Sequence, residues 1–230
     1  MNRLLIFVAA LSCAAACPAL AEQYWIAYEG DDFPENEGWT RVFCDPNGVV
    51  GQGGAVRTIE EGALVLDSLE SIVIVDFYNM SRPIDPGPDE LFLMRWRLSI
   101  DEIVSGPDPV AGVFSDGYEA VAFQLSDTSL RSTFEDRTIS IDLLGCHEYE
   151  LRSPDMATYE LFVDDALAMA GVFSEVFEAS RVGWGDGIQG GASVTRWDYF
   201  QFGVIPEPSA ILGLPVMLVA IKRFSRYCAA

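Results

Sequence analysis

The sequence predicts an all-β fold, a two-sheet antiparallel sandwich of jelly-roll type, on three observations. Apolar and polar residues alternate with period two in one short run after another, as half-buried strands require. Gly, Pro, Asp and Ser separate the runs at the close spacing of sandwich turns. No apolar stretch sustains a helical period, although "SEVFEAS" is long enough for one or two turns.

In chain order, the first element is a processing signal. Asn2 and Arg3 supply a positive start, "LLIFVAALSCAAAC" is apolar, and Ala19 and Ala21 put small residues at the minus-three and minus-one positions of a cleavage site. Residues 1–21 are therefore expected to be removed before Glu22. Cys13 and Cys17 lack the upstream Leu that lipoprotein processing favours.

Residues 22–204 form the expected sandwich. "ELFLMRWRLSI" places Phe92, Met94, Trp96, Leu98 and Ile100 on one face and Arg95, Arg97 and Ser99 on the other. "YEAVAFQL", "TISIDLL", "HEYELR", "TYELFVD", "ALAMA" and "WDYFQFGV" repeat the pattern between "SGPDP", "RSPDMA" and "GDGIQGG". This is one domain, since its length does not need two cores.

Residues 205–230 close the chain with Pro206-Glu207-Pro208, an apolar run, and the cluster Lys222, Arg223 and Arg226. Ser209 to Ile221 gives about 20 Å of helix against a hydrocarbon core of about 30 Å, a marginal span with a basic cytoplasmic stop. The tripeptide, short span and basic end resemble the PEP-CTERM signal of Gram-negative bacteria. That resemblance implies transient inner-membrane anchoring and processing by an exosortase, then delivery to the cell surface or an extracellular polysaccharide matrix.

Parts of the body carry a second resemblance. "DDFPENEGW" looks like the opening strand of concanavalin A-like (LamG-like) lectin and glucanase domains, and "HEYEL", "YELFVDDALAMAG" and "VGWGDG...TRWDYFQF" are similar to their closing half. The family usually has Asp-Gly at the hairpin turn where this chain has Asp164-Asp165, and Asp tolerates that left-handed turn. The resemblance implies that the last strand pairs with the first, making Glu29 and Asp198 near neighbours. A structural calcium is expected there, on carboxylate and carbonyl oxygens.

Between Glu22 and Ile205 there are ten arginines, no lysine and 34 acids, a net charge of −24. Such a surface repels nucleic acid and anionic headgroups, and it suits solubility or salt tolerance as well as calcium. Cys44 and Cys146 are the cysteines of the exported body, to be read as a disulfide or as two buried thiols. Pairing would close a loop of roughly 100 residues, worth up to about 4.7 kcal/mol in the chain-entropy model.

Catalytic chemistry is constrained by what is missing. Glucanases of this resemblance use a strand-borne Glu-x-Asp-x-Glu cluster; Glu29, Asp31 and Glu35 have the wrong last spacing and Pro34 interrupts them, so they read as an acidic loop. His147 is the one histidine, which excludes His-rich zinc sites, and the absence of lysine from the body excludes a Schiff base. No catalytic residue is assigned. For binding, Trp184 and Asp186 in "GWGDG" make an aromatic beside an acid, the pairing that stacks on and hydrogen-bonds to sugars. The competing reading places Trp184 and Trp197 in the core. The combined expectation is a non-catalytic surface or matrix protein with a glycan-binding body; the alternative is a polysaccharide-active hydrolase or lyase.

Overall fold

A computed structural model describes residues 25–44, 54–69, 75–81, 84, 86–105, 109–115, 119–174, 181–186 and 192–206. Ala19 and Ala21 of the processing signal, the helical turns expected at "SEVFEAS", and Glu207, Pro208, Lys222, Arg223 and Arg226 of the tail lie outside the described residues. Among those residues no helix is long and apolar enough to cross a membrane.

The described strands form the two antiparallel sheets of a jelly-roll-like sandwich. One sheet has eight strands. Its order runs β13 (Ala166–Val172), β12 (Thr158–Val163), β11 (Gly145–Ser153), β6 (Glu90–Ser105), β15 (Ala192–Pro206), β4 (Ala63–Asp67), β3 (Val56–Glu60), with β1 (Trp25–Tyr28) also on β15. The seven-stranded sheet runs β10 (Arg137–Ser140), β9 (Ser129–Ser132), β8 (Glu119–Leu125), β7 (Pro109–Ser115), β14 (Arg181–Asp186), β5 (Val75–Met80), β2 (Thr40–Cys44).

The alternation in "ELFLMRWRLSI" decides the centre of the eight-stranded sheet. Phe92, Met94, Trp96, Leu98 and Ile100 are fully buried against the second sheet, while Arg95, Arg97 and Ser99 face outward. Their inward neighbours across the strands, Tyr149, Leu151, Trp197 and Phe200, complete that side of the core. From the other sheet come Tyr78, Val121, Phe123, Leu125, Leu130, Val182 and Trp184.

The pairing of first and last strands holds: Trp25 is opposite Gly203 and Tyr28 opposite Phe200. The opening strand is "WIAY", however, upstream of the acidic stretch expected to form it. Glu29 to Trp39 instead run through a loop and a 3₁₀ turn, Pro34–Glu37, because proline fits the start of a helical turn but cannot donate to a ladder. Strand β15 continues to Pro206, two residues beyond the expected boundary, with Pro206 opposite Glu90. At the β12–β13 hairpin Asp164 and Asp165 both adopt positive φ, 48° and 65°, so the Asp-Asp turn does the work of Asp-Gly.

Candidate functional site

Strand parity divides the residues of the seven-stranded sheet between core and solvent. Val182 and Trp184 point inward, so Arg181, Gly183 and Gly185 face out; Tyr78 and Met80 point inward, so Phe77 and Asn79 face out. By the same rule Val110 and Gly112 of β7, Ala122 and Gln124 of β8, and Arg131 of β9 line that outer face. Arg131, Gln124, Val110, Gly185, Phe77 and Val42 form one continuous row across the sheet.

The middle of this face is a floor of small residues. Gly112, opposite Gly183, would drive a Cβ to 2.9 Å from the Ala122 Cβ. A Cβ on Gly183 would run into the ring of Phe77, so the missing side chain is what lets that ring lie across the strand. Phe77 stays partly exposed there, with Asn79 two residues along. On the far side of the floor, Gln124 Oε1 and Thr133 Oγ1 are buried with no hydrogen-bond partner. Arg131 rises at the rim, 2.6 Å from Asp136.

Trp184 and Asp186 are corrected by this geometry. Both are at 0% exposure. Trp184 stacks on Tyr28 at 5.0 Å and on Phe200 at 5.5 Å, with Tyr78 and Trp197 each at 4.9 Å, so its ring faces are occupied within the core. Thr195 Oγ1 donates to Asp186 Oδ1 at 3.4 Å. In "GWGDG" the glycines take the outward positions and the tryptophan the inward one. Sequence reasoning missed Phe77, Asn79, Gln124 and Arg131, although the alternation in "VDFYNM" carries the first two.

The outer face of the eight-stranded sheet is a lattice of ion pairs. Glu150 holds both Arg95 and Arg152, Arg97 faces Asp198 at 3.2 Å, and Arg196 donates to Asp101 at 2.6 Å and Glu60 at 3.3 Å. A β-bulge between Trp197 and Tyr199 turns Asp198 toward this face as the extra residue. Gly30 lies directly against the Asp198 carbonyl, where any side chain would clash. Around the bulge a cleft of about 590 Å3 is lined by Glu60, Glu61, Ser99, Asp101, Arg196 and Asp198, with Cys146 at its edge. Burial pushes the Asp198 carboxyl above its ordinary range, while Arg97 and Arg196 pull it down.

Glu29 and Asp198 are thus neighbours in backbone but are not joined into a cation site. Arg97 occupies Asp198, Glu29 is exposed with Gln201 Nε2 donating to it at 3.5 Å, and no group of three or more metal-ligating side chains forms among the described residues. The cysteines are not brought together either. Cys44 ends β2 in the seven-stranded sheet, its side chain outside the described ones; Cys146 sits on the outer face of the other sheet, where Arg97 Nε donates to Sγ at 3.1 Å. His147 is hydrogen-bonded through Nδ1 to Asp164 Oδ2 at 2.7 Å.

Comparison with known proteins returns no matching family model and no matching curated protein. Solved structures do match. A carbohydrate esterase from the Shiga toxin-encoding bacteriophage phi24B aligns over 78% of this chain and 97% of its own, at 12% identity and a TM-score of 0.55. The potassium-bound carbohydrate recognition domain of Emp46p aligns over 78% and 98%, at 10% identity and a TM-score of 0.50. A Bacillus subtilis protein of unknown function with a galectin-like fold aligns over 78% and 94%, at 11% identity and a TM-score of 0.50. At these identities the likeness establishes the architecture this chain shares with lectin domains and glycan-active enzymes, a galectin-like jelly roll.

Proposed function

We propose that this chain is an exported surface or matrix protein, sorted by an exosortase through its PEP-CTERM tail, whose sandwich binds polysaccharide on the outer face of the seven-stranded sheet without cutting it. One observation carries the binding reading: Phe77 lies across the Gly183 floor and is partly exposed, with Asn79 two residues along the same strand. A flat ring offers an apolar surface to the C–H face of a sugar, while the Asn79 amide can donate and accept hydrogen bonds with hydroxyls. Two of the structural neighbours, the esterase and the recognition domain, are proteins of carbohydrate by their names, which agrees with this assignment.

The test is co-sedimentation of the secreted protein with the host's exopolysaccharide, compared with Phe77→Ala. Retained binding in the variant removes the face from consideration. A hydrolase or lyase is the second reading, favoured by the raised carboxyl of Asp198 in one cleft with Asp101, Glu60 and Glu61, since glycoside cleavage uses carboxyls held in different protonation states. New reducing ends or unsaturated products that vanish in Asp198→Asn would establish it in place of the non-catalytic reading. A calcium ion shared by Glu29 and Asp198 is no part of either reading.

A further inference from the structure

A strand at the end of a sheet needs a means of refusing other strands, because its outer backbone groups are a template for pairing. Of the strands that end the two sheet orders, β3, β2 and β10 run four or five residues and each carries an arginine. β13 differs: it has seven residues, "ALAMAGV", with neither a charge nor a proline. Its Leu167 and Val172 are 57% and 49% exposed.

The backbone of β13 is nevertheless occupied on its outer side. The Phe173 N–H donates to the Ala157 carbonyl and Gly171 stands opposite Tyr159. By the alternation of an antiparallel ladder, Ala170 and Val172 therefore direct their peptide groups away from β12. Both are met by side chains from the edge of the other sheet. Arg137 Nη1 donates to the Ala170 carbonyl at 2.6 Å, and the Val172 N–H donates to Glu135 Oε1 at 3.1 Å. The seat of Glu135 is shaped for it: the Tyr159 hydroxyl and Ser132 Oγ, the latter at 3.0 Å, donate to Oε2. A Cβ on Gly171 would lie 2.5 Å from both carboxylate oxygens, so the glycine makes the room. Glu135 and Arg137 thus form a clasp that takes one donor and one acceptor which a neighbouring strand would otherwise use.

We propose that this clasp closes a self-recognition edge: with Glu135 and Arg137 withdrawn, β13 pairs antiparallel with β13 of a second copy of this chain, joining two eight-stranded sheets into one. A second copy fits because a twofold axis at Gly171 sets Val172 of each copy opposite Ala170 of the other, the two residues whose groups the clasp holds. Glycine at the axis lets the two backbones approach, and the facing side chains are small and uncharged. Main-chain bonds supply the affinity of such an added strand. The axis uses β13 of both copies, so the product is a closed dimer and not a fibre. The net charge of −24 on each body opposes the approach, and salt screens it, so the unclasped chain should associate more tightly as salt rises.

The experiment is sedimentation velocity of the full secreted chain over a concentration series at low and physiological salt, with far-ultraviolet dichroism confirming that each variant is folded. Variants are Arg137→Ala, Glu135→Ala with Arg137→Ala, and that double variant with Ala170→Lys added, since a lysine on an edge strand repels a further strand. The expected result is a monomeric parent, self-association tightened about tenfold or more by the double variant and by a smaller factor by Arg137→Ala, and a return to monomer with Ala170→Lys. Arg137→Ala leaves the seat of Glu135 intact, so it decides the question if the double variant does not fold. Folded variants as monomeric as the parent overturn the proposal. Association that Ala170→Lys leaves in place also overturns it, because the contact then lies elsewhere. A parent already dimeric through β13 overturns it as well, because the clasp then does not close the edge.

Discussion

Replacing Trp184 separates a core role from a ligand-binding one. The side chain is fully buried and touches Tyr28, Trp39, Tyr78, Trp197 and Phe200. Truncation to alanine removes the ring on which both sheets meet, a change that costs about 3–5 kcal/mol. For a domain of this size each kcal/mol moves the melting temperature by about 2–4 °C, so Trp184→Ala should melt about 6–20 °C below the parent. Trp184→Phe should be far milder. The indole N–H is buried without a hydrogen-bond partner, so losing it relieves a desolvation penalty of about 1–3 kcal/mol that offsets much of the lost volume. The assay is a thermal melt of each variant, followed by polysaccharide binding well below its own transition. Folded Trp184→Ala should bind as the parent does, whereas Phe77→Ala should melt near the parent and bind poorly. A Trp184→Ala protein that melts within a couple of degrees of the parent but loses binding would refute the core assignment.

Asp76 accepts from Arg41 and from the Ala55 N–H with no exposure to solvent, so Asp76→Ala should destabilise by about 3–5 kcal/mol, while Arg41→Met with Asp76→Leu should recover most of it; additive losses in denaturant melts would contradict the pairing. Burial raises the carboxyls of Asp198 and Glu37 above their ordinary values of 3.8 and 4.5. Both therefore bind a proton more tightly folded than unfolded, and their contribution is complete below those values and lost as pH rises through the raised ones. Asp198→Asn with Glu37→Gln should flatten that arm of the melting profile, and an unaltered slope would discard the assignment. Calcium and magnesium at matched ionic strength should shift the melt alike, by screening; a calcium-specific shift abolished by Asp198→Asn would restore a site at the bulge. Cells lacking the exosortase should hold the full-length chain in the inner membrane, and unchanged secretion and C-terminal mass would defeat the sorting proposal.

How far each feature could be read in the sequence depends on how sharply side chains mark a face. Strand β6 was legible because five inward positions in succession are large and apolar and the intervening ones include two arginines. The "GWGDG" stretch was not, because a glycine carries no mark of which side it faces and Asp186 occupies an inward position usually apolar. Asp76 does the same to "VDFYNM", hiding the outward Phe77 behind a buried charge. The four residues of β1 are too few for a period, and the bulge at Asp198 interrupts alternation where the site was expected. The pairing of β1 with β15 came from family resemblance, which preserves topology where local pattern is weak.

Strand β15 joins β6 on one side and both β4 and β1 on the other, and it is the last of the described strands. Its start lies 102 residues after the start of β6, at Ala192 and Glu90. At about 5–20 residues per second of synthesis, β6 waits about 5–20 s before its main partner exists. The inward row of Phe92, Met94, Trp96, Leu98 and Ile100 must stay unaggregated through that interval, and pairing so distant in sequence is itself slow. A chain carrying −24 over its body repels its neighbours during the delay, so the acidity protects the nascent protein before it contributes anything to the folded one.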